Sequence, residues 1–350
     1  MLSRPDLSVI VVTWNVRELA LDCLRAVTER SDGLNIKLVV VDNASVDGTV
    51  AAVRSAFPGA TLIANSNNVG FPAANNHGLA HAHGRHVLFL NPDTVVGEGT
   101  LAACVRALDG DPSVGMVGCR MMYPDGRVQY ECGRRAYRLR HLLWEAFYLH
   151  ELFPRSPLFA HQLMGDWDHR DRRDVEAILG AFMMLRRELV LAVGGVPDEV
   201  FMLHEDLALC LRVRAAGYRI LYVGDVETLH HGGASRGKAT SALDMLTGEV
   251  RVRLIRERGG PVRAALARWM FAFWSASRLA AALVARTIPG LKRLRARRPR
   301  AFQPKLYALH LLWAIAPRAA ARFIPRAEED DAAVVFRPRV RPPVGAGRSS

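Results

Sequence analysis

Four times within its first hundred residues this chain drives a run of apolar, largely β-branched residues into a polar stop. The runs are "SVIVVTWN", "IKLVVVDNASVDGT", "ATLIANSNNVG" and "HVLFLNPD". Uninterrupted apolar runs of this length read as strands covered on both faces. Between the first two, Ala20, Cys23, Leu24 and Val27 fall at i, i+3, i+4 and i+7, the stripe of an amphipathic helix. Val50, Val53 and Phe57 line a second helix that Pro58 and Gly59 end, and a short helix from about Pro72 precedes the fourth strand. Strands alternating with helices predict an α/β fold, a parallel sheet with right-handed crossovers and helices on both faces.

In such sheets ligands gather at the carboxyl ends of the strands. Two of the runs stop there on an acid, Asp42 and Asp93. Either could be a turn residue alone, since Asn, Pro and Asp favour turns for local reasons, but two acids at one edge can share one crevice. Beyond Asp93 come a helix ("EGTLAACVRALDG"), a strand-like "VGMVGCRMMY" and a hairpin-like "YPDGRVQYECG". Residues 136–175 read as a loop or helical excursion, and "ILGAFMMLRRELVLAVGG" resumes core periodicity. "EVFMLHEDLALCLRVRAAGYRI" then puts Glu205 and Asp206 in the first turn of a helix, where the dipole by itself favours carboxylates, and Gly217 at its C-terminal cap. A last strand, "ILYVGDVETLHHGGAS", leads to His230, a residue type that often only hydrogen-bonds.

Asp42, Asn91, Asp93, Glu205, Asp206 and His230 thus collect at strand ends, with many acids and no obvious cationic partner. A divalent cation, Mg²⁺ or Mn²⁺ shared with a substrate diphosphate, would supply the missing charge. The chain has no G-x-G-x-x-G after its first strand and no G-x-x-x-x-G-K-[ST], which argues against a nicotinamide oxidoreductase and a P-loop NTPase. A nucleotidyltransferase would call for a basic, glycine-rich loop after that strand, and "TWNVRELA" has no glycine. Five cysteines at irregular spacings offer neither a disulfide framework nor paired metal knuckles, so a reducing cytosol fits. The four-residue apolar run Val9–Val12 is too short for a signal-peptide core.

These motifs, in order, resemble the family 2 glycosyltransferases, especially the bacterial rhamnosyltransferase-like members, and the resemblance implies a GT-A fold, a Rossmann-like nucleotide-binding sheet with helices on both faces. The resemblance rests on "VVVDNASVDGT", "NNVGFPAANNHGL", "FLNPDT", "GAFMMLRRELVLAVGGVPDEVFMLHEDLALCLRVRAAGYRI" and "HHGGAS", and covers about residues 7–236. It implies that Asp42 hydrogen-bonds a pyrimidine base, with Thr13 and Asn15 lining the same pocket. Asn68, Gly70 and Asn76 of the second motif would belong to the nucleotide-sugar site. Asp93 would be the metal ligand, with Asn91 replacing the first acid of the family's Asp-x-Asp and His230 touching diphosphate or metal. Asp206 would be the general base for an acceptor hydroxyl, supported by Glu205. The implied reaction is inverting, metal-dependent transfer from a dTDP- or UDP-linked sugar to a glycan or lipid-linked acceptor of the cell envelope. Asn91 in place of an acid leaves a catalytically silent, sugar-nucleotide-binding or scaffold protein as the alternative. Processive members carry Q-x-x-R-W; here Ala265 stands where Gln would be before Arg268 and Trp269, which implies transfer of one sugar.

The basic character lies elsewhere. Residues 241–350 hold 22 Lys and Arg against 7 Asp and Glu, a net +15, while residues 1–240 are at −2. "ALARWMFAFWSASRLAAALVART" is apolar on nearly every side, but Arg278 leaves runs shorter than a spanning helix needs. With the basic "RTIPGLKRLRARRPR" behind it, it reads as an in-plane anchor on an anionic membrane surface, or as a helix packed on the catalytic domain. No nucleic-acid motif is present. The expected organisation is a catalytic domain over 1–240, a helical, membrane-surface region over 241–325 and a disordered tail over 326–350. The expected location is cytoplasmic, peripheral on the inner face of the cell membrane.

Overall fold

The computed structural model describes residues 4–198, 205–232, 240–287 and 304–316. The polybasic stretch just beyond Thr287 and the tail 326–350 lie outside the described residues. The elements run β1 (Leu7–Thr13), α1 (Arg17–Glu29), β2 (Ile36–Asp42), α2 (Thr49–Ala56), β3 (Thr61–Ala64), α3 (Phe71–Leu79), β4 (His86–Leu90), β5 (Thr94–Val96), α4 (Thr100–Gly110) and β6 (Val114–Met122). A 3₁₀ turn at Tyr130–Cys132 leads to β7 (Gly133–Arg134), α5 (Leu139–Ala146), α6 (Leu149–Leu152), β8 (Arg173–Val175), β9 (Ala177–Ile178), β10 (Phe182–Arg186) and α7 (Arg187–Ala192). Then come α8 (Glu205–Ala215), β11 (Arg219–His230), α9 (Thr240–Thr287) and α10 (Pro304–Ile315).

The main sheet has the order β3-β2-β1-β4-β10-β6-β11-β5, with β8 on β11. Its first half is parallel as expected: β1 pairs with β2 from Leu7↔Ile36 to Thr13↔Asp42, and with β4 from Leu7↔His86 to Val11↔Leu90. Every residue of β1 is buried, so both faces are covered. Helix α3 seats against β1 and β2 because Gly78 has no side chain; a Cβ there would lie 2.5 Å from Ile10 Cγ2 and 3.2 Å from Val41 Cγ2.

The second half departs from the parallel pattern read from the first four strands. Strand β10 runs antiparallel to both β4 and β6, and β5 antiparallel to β11. After β6 the chain makes its excursion, through α5, α6 and the small β7–β9 sheet, and re-enters the main sheet beside the carboxyl end of β4, where Asn91 N–H donates to Ala181 O at 3.0 Å. From that edge a strand can only run backwards. The irregular region 136–175 therefore holds two short helices, and "YPDGRVQYECG" closes only one bridge, Met122↔Val128.

Helices α9 and α10 pack on each other, and α9 on α5, around a second apolar cluster with Tyr137, Leu142, Val252, Ile255 and Trp313. Tyr137 and Arg251 both donate to Glu145, at 2.8 and 2.7 Å, and Arg268 and Trp313 both donate to Glu249. Gly260, at φ 78°, breaks α9 ahead of Pro261. No helix among the described residues is long and apolar enough to cross a membrane.

Candidate active site at the carboxyl edge of the sheet

Sheet order turns the sequence motifs into neighbours. Asp42 ends β2, Thr13 ends β1, Asn91 follows β4 and Gly180 precedes β10, so these four sit on adjacent strands. At the usual strand spacing they span about 14 Å.

Asp42 and Thr13 meet: Thr13 Oγ1 donates to Asp42 Oδ2 at 3.0 Å, while the Ser45 N–H donates to Oδ1 at 2.9 Å. The second bond is the turn role foreseen for such an acid, and both side chains are buried. Asn15, at φ 51°, clasps the same loop, accepting from Val46 N–H on Oδ1 and donating from its own N–H to Ser45 Oγ. Asn68 Oδ1 accepts the Gly70 N–H at 3.0 Å, and Gly70, at φ 89°, opens α3. Asn76 points elsewhere. Its amide donates to Val196 O and accepts from Val196 N, at 2.8 and 2.9 Å, which clamps the turn after α7 onto α3.

The cation-binding candidates converge. His230 pairs with Thr94 across β11 and β5, and the His231 N–H donates to Asp93 O. This backbone zipper brings His230 Nε2 to 3.4 Å from Asp93 Oδ1, with both side chains buried. Gln129, not foreseen from the sequence, fixes the ring. Its Nε2 donates to His230 O at 2.8 Å, and since a carbonyl only accepts, its Oε1 must be the atom 2.7 Å from His230 Nδ1. Nδ1 therefore carries a proton, and Nε2 faces the Asp93 carboxylate. An imidazole nitrogen and a carboxylate oxygen set this close are donor types that can share a divalent cation. Among the described residues no group of three or more His, Cys, Asp or Glu is arranged to hold a metal, so a cation here would draw its remaining ligands from a substrate.

Asp206 and Glu205 begin α8, whose end is capped as expected by Gly217 at φ 88°. Asp206 is buried, and Oδ2 accepts from Arg134 Nη2 at 2.6 Å and from the Gly180 N–H at 3.1 Å. Arg134 is the cationic partner that no sequence pattern announced. Gly180 lies close under the pair: a Cβ there would stand 3.3 Å from Asp206 Cβ, a tight contact, and 3.5 Å from Glu205 Oε1, an ordinary one. The five cysteines are all buried and unlinked. Burial pushes Cys23, Cys119 and Cys210 up to about 12 and Cys132 to about 11, so none is a thiolate nucleophile at neutral pH.

The mixed α/β sheet, with carboxylates and a histidine gathered at one strand edge, is GT-A-like. Residues 8–190, just over half of the chain, match the model described as Glycosyl transferase family 2, and the chain belongs to that family. Over 264 residues it is 30% identical to the uncharacterized protein y4gI of Sinorhizobium fredii, covering 73% of this chain but only 27% of that longer protein. Over 246 residues it is 29% identical to the N-acetylglucosaminyl-diphospho-decaprenol L-rhamnosyltransferase of Mycobacterium tuberculosis, covering 66% of this chain and 78% of that one. A mannosyltransferase from Pyrobaculum calidifontis, solved with GDP-Man and Mn²⁺, superposes with a TM-score of 0.52 at 25% identity, over 92% of this chain and 87% of its own.

Proposed function

We propose that this protein transfers one sugar from a nucleoside-diphosphate sugar, with inversion, to a hydroxyl of a lipid-linked or cell-envelope glycan acceptor. The observation that carries the reading is the row Asp42, Asp93 with His230, and Asp206 along one sheet edge. In this reading Asp42 and Thr13 hold the base, with Asn15, Asn68 and Gly70 shaping the loops around the nucleotide. Asn91, Asp93 and His230 face the diphosphate. Asp206 takes the proton of the acceptor hydroxyl as its oxygen attacks the anomeric carbon and the bond to the diphosphate breaks on the opposite side. Arg134 and the Gly180 N–H hold that carboxylate in place, and Glu205 supports it. Asp93 and His230 would hold a divalent cation, Mn²⁺ in preference to Mg²⁺ given the imidazole, and when bound it would neutralise charge on the departing diphosphate.

The mycobacterial relative supports rhamnose as the sugar and a polyprenyl-diphosphate glycan as the acceptor class. Residues 1–240 would be the catalytic unit and 241–325 a region that keeps it peripheral on the cytoplasmic membrane face. A second reading, a silent sugar-nucleotide-binding protein, is favoured by the Arg134–Asp206 pair, which occupies the intended base. The deciding experiment offers dTDP-, UDP- and GDP-sugars with a polyprenyl-diphosphate-linked acceptor and reads the glycosidic product and its anomeric configuration. An inverted linkage supports the transferase; donor binding with no product from any pair supports the silent protein.

The Gln129 clasp yields a further expected result. Gln129→Leu frees the His230 ring, and metal affinity in the presence of nucleoside diphosphate falls about 10- to 100-fold, the usual cost of losing the partner behind a ligand. Mn²⁺ titration followed by electron paramagnetic resonance measures the affinity, and ¹⁵N shifts of the His230 ring report whether the Nδ1–H form is lost. An unchanged ring and unchanged affinity would remove Gln129 from the site.

A further inference from the structure

The half of α9 that follows Pro261 is built inside out. Its buried line consists mostly of small residues: Ala264, Ala267, Ser275, Ala282 and Ala285 are each no more than 7% exposed. The opposite line carries the large ones: Val262 is 79% exposed, Leu266 50%, Trp269 74%, Phe273 69% and Val284 58%. At 100° per residue these five lie within roughly 40° of one line down the helix, over about 33 Å. Ala276 and Ala280 fill the gaps in that line and are exposed too, so no charged side chain interrupts it. A helix whose outer surface meets water has the reverse arrangement, and a contiguous apolar strip of this kind marks a contact surface.

Charge selects the occupant. From Arg258 to Ala327 the sequence holds fifteen Lys and Arg and no Asp or Glu. A second copy of the chain would bring the same charge to the contact and be repelled, whereas an anionic bilayer offers acyl chains to the strip and headgroups to the basic residues. Trp269, midway along the strip, is of the type enriched where hydrocarbon meets headgroups.

We infer that the Val262–Val284 face of α9 inserts, lying in the membrane plane, into an anionic lipid surface. This rests on the peripheral membrane location proposed above and names the surface responsible. Small residues on the opposite line let α9 lie close against its neighbours, so the large side chains remain for the lipid.

The test uses the full chain and co-sedimentation with vesicles of phosphatidylcholine alone or mixed with phosphatidylglycerol. Wild type partitions onto the mixed vesicles, and the triple variant Leu266→Ser, Trp269→Ser, Phe273→Ser partitions at least about 100-fold less, as expected from removing three large apolar groups. Because all three positions are exposed, the variant keeps its melting temperature and its nucleotide binding. Quenching of tryptophan fluorescence by brominated acyl chains is strong in wild type and falls in Trp269→Phe. Equal partitioning of wild type and triple variant overturns the inference while leaving the membrane location standing. Absence of wild-type binding to either vesicle overturns both, yet leaves sugar transfer untouched. A wild-type dimer in sedimentation that the triple variant dissociates would assign the strip to a second copy and also overturn it.

Discussion

Asp206→Asn retains nucleotide-sugar binding and loses transfer by about a thousandfold, within the 10²- to 10⁴-fold usually supplied by a positioned base. Asparagine matches aspartate in size and still accepts the Gly180 N–H, so the loop from Gly180 into β10 keeps its seat against α8. What disappears is the charge, and with it any capacity to take a proton from an acceptor hydroxyl. Single-turnover transfer measured beside donor affinity separates the two effects. Transfer within a few-fold of wild type would remove Asp206 from the chemistry and leave it a packing residue at the start of α8.

The largest expected effect on stability comes from Arg134. Its guanidinium lies 2.6 Å from Asp206 Oδ2, with the two side chains only 10% and 8% exposed. Arg134→Ala strands a buried carboxylate, and breaking a pair of this kind costs about 3–5 kcal/mol. Denaturant unfolding of the single variant and of Arg134→Ala with Asp206→Asn gives the decisive comparison. The double variant recovers part of the loss, because the stranded charge has gone with its partner. A loss below about 1 kcal/mol in the single variant would mean that water reaches the pair and that it behaves as a surface bridge.

The parts of the molecule that announced themselves in the sequence are those made by local patterns. Strands β1 to β4, the helices between them and the Gly217 cap each follow from a period or a turn residue within one short stretch; Asp42, Asp93 and His230 stand out because they end such strands, and Thr13 through the family resemblance. The parts that did not are made by distant contacts. Gln129 acts on His230 across 101 residues and Arg134 on Asp206 across 72, and neither sits in a motif. The reversal of β10 could not be read either, since its direction depends on which edge the chain reaches after the excursion through α5 and α6. Asn76 is a motif position whose amide bonds the Val196 backbone, a partner 120 residues away that the motif does not announce. In α9 the apolar residues were visible, but which of them face outward depends on where α5 and α10 pack.

The central claim is that the carboxyl edge of the sheet forms a metal-assisted nucleotide-sugar site, and calorimetric titration of dTDP, UDP and GDP, with and without Mn²⁺, tests it most directly. Wild type should bind at least one of them tighter by about tenfold or more with Mn²⁺, and Asp93→Ala should bind it with no metal effect. Identical binding by wild type and Asp93→Ala, or no binding by folded wild type to any of the three, would contradict the claim.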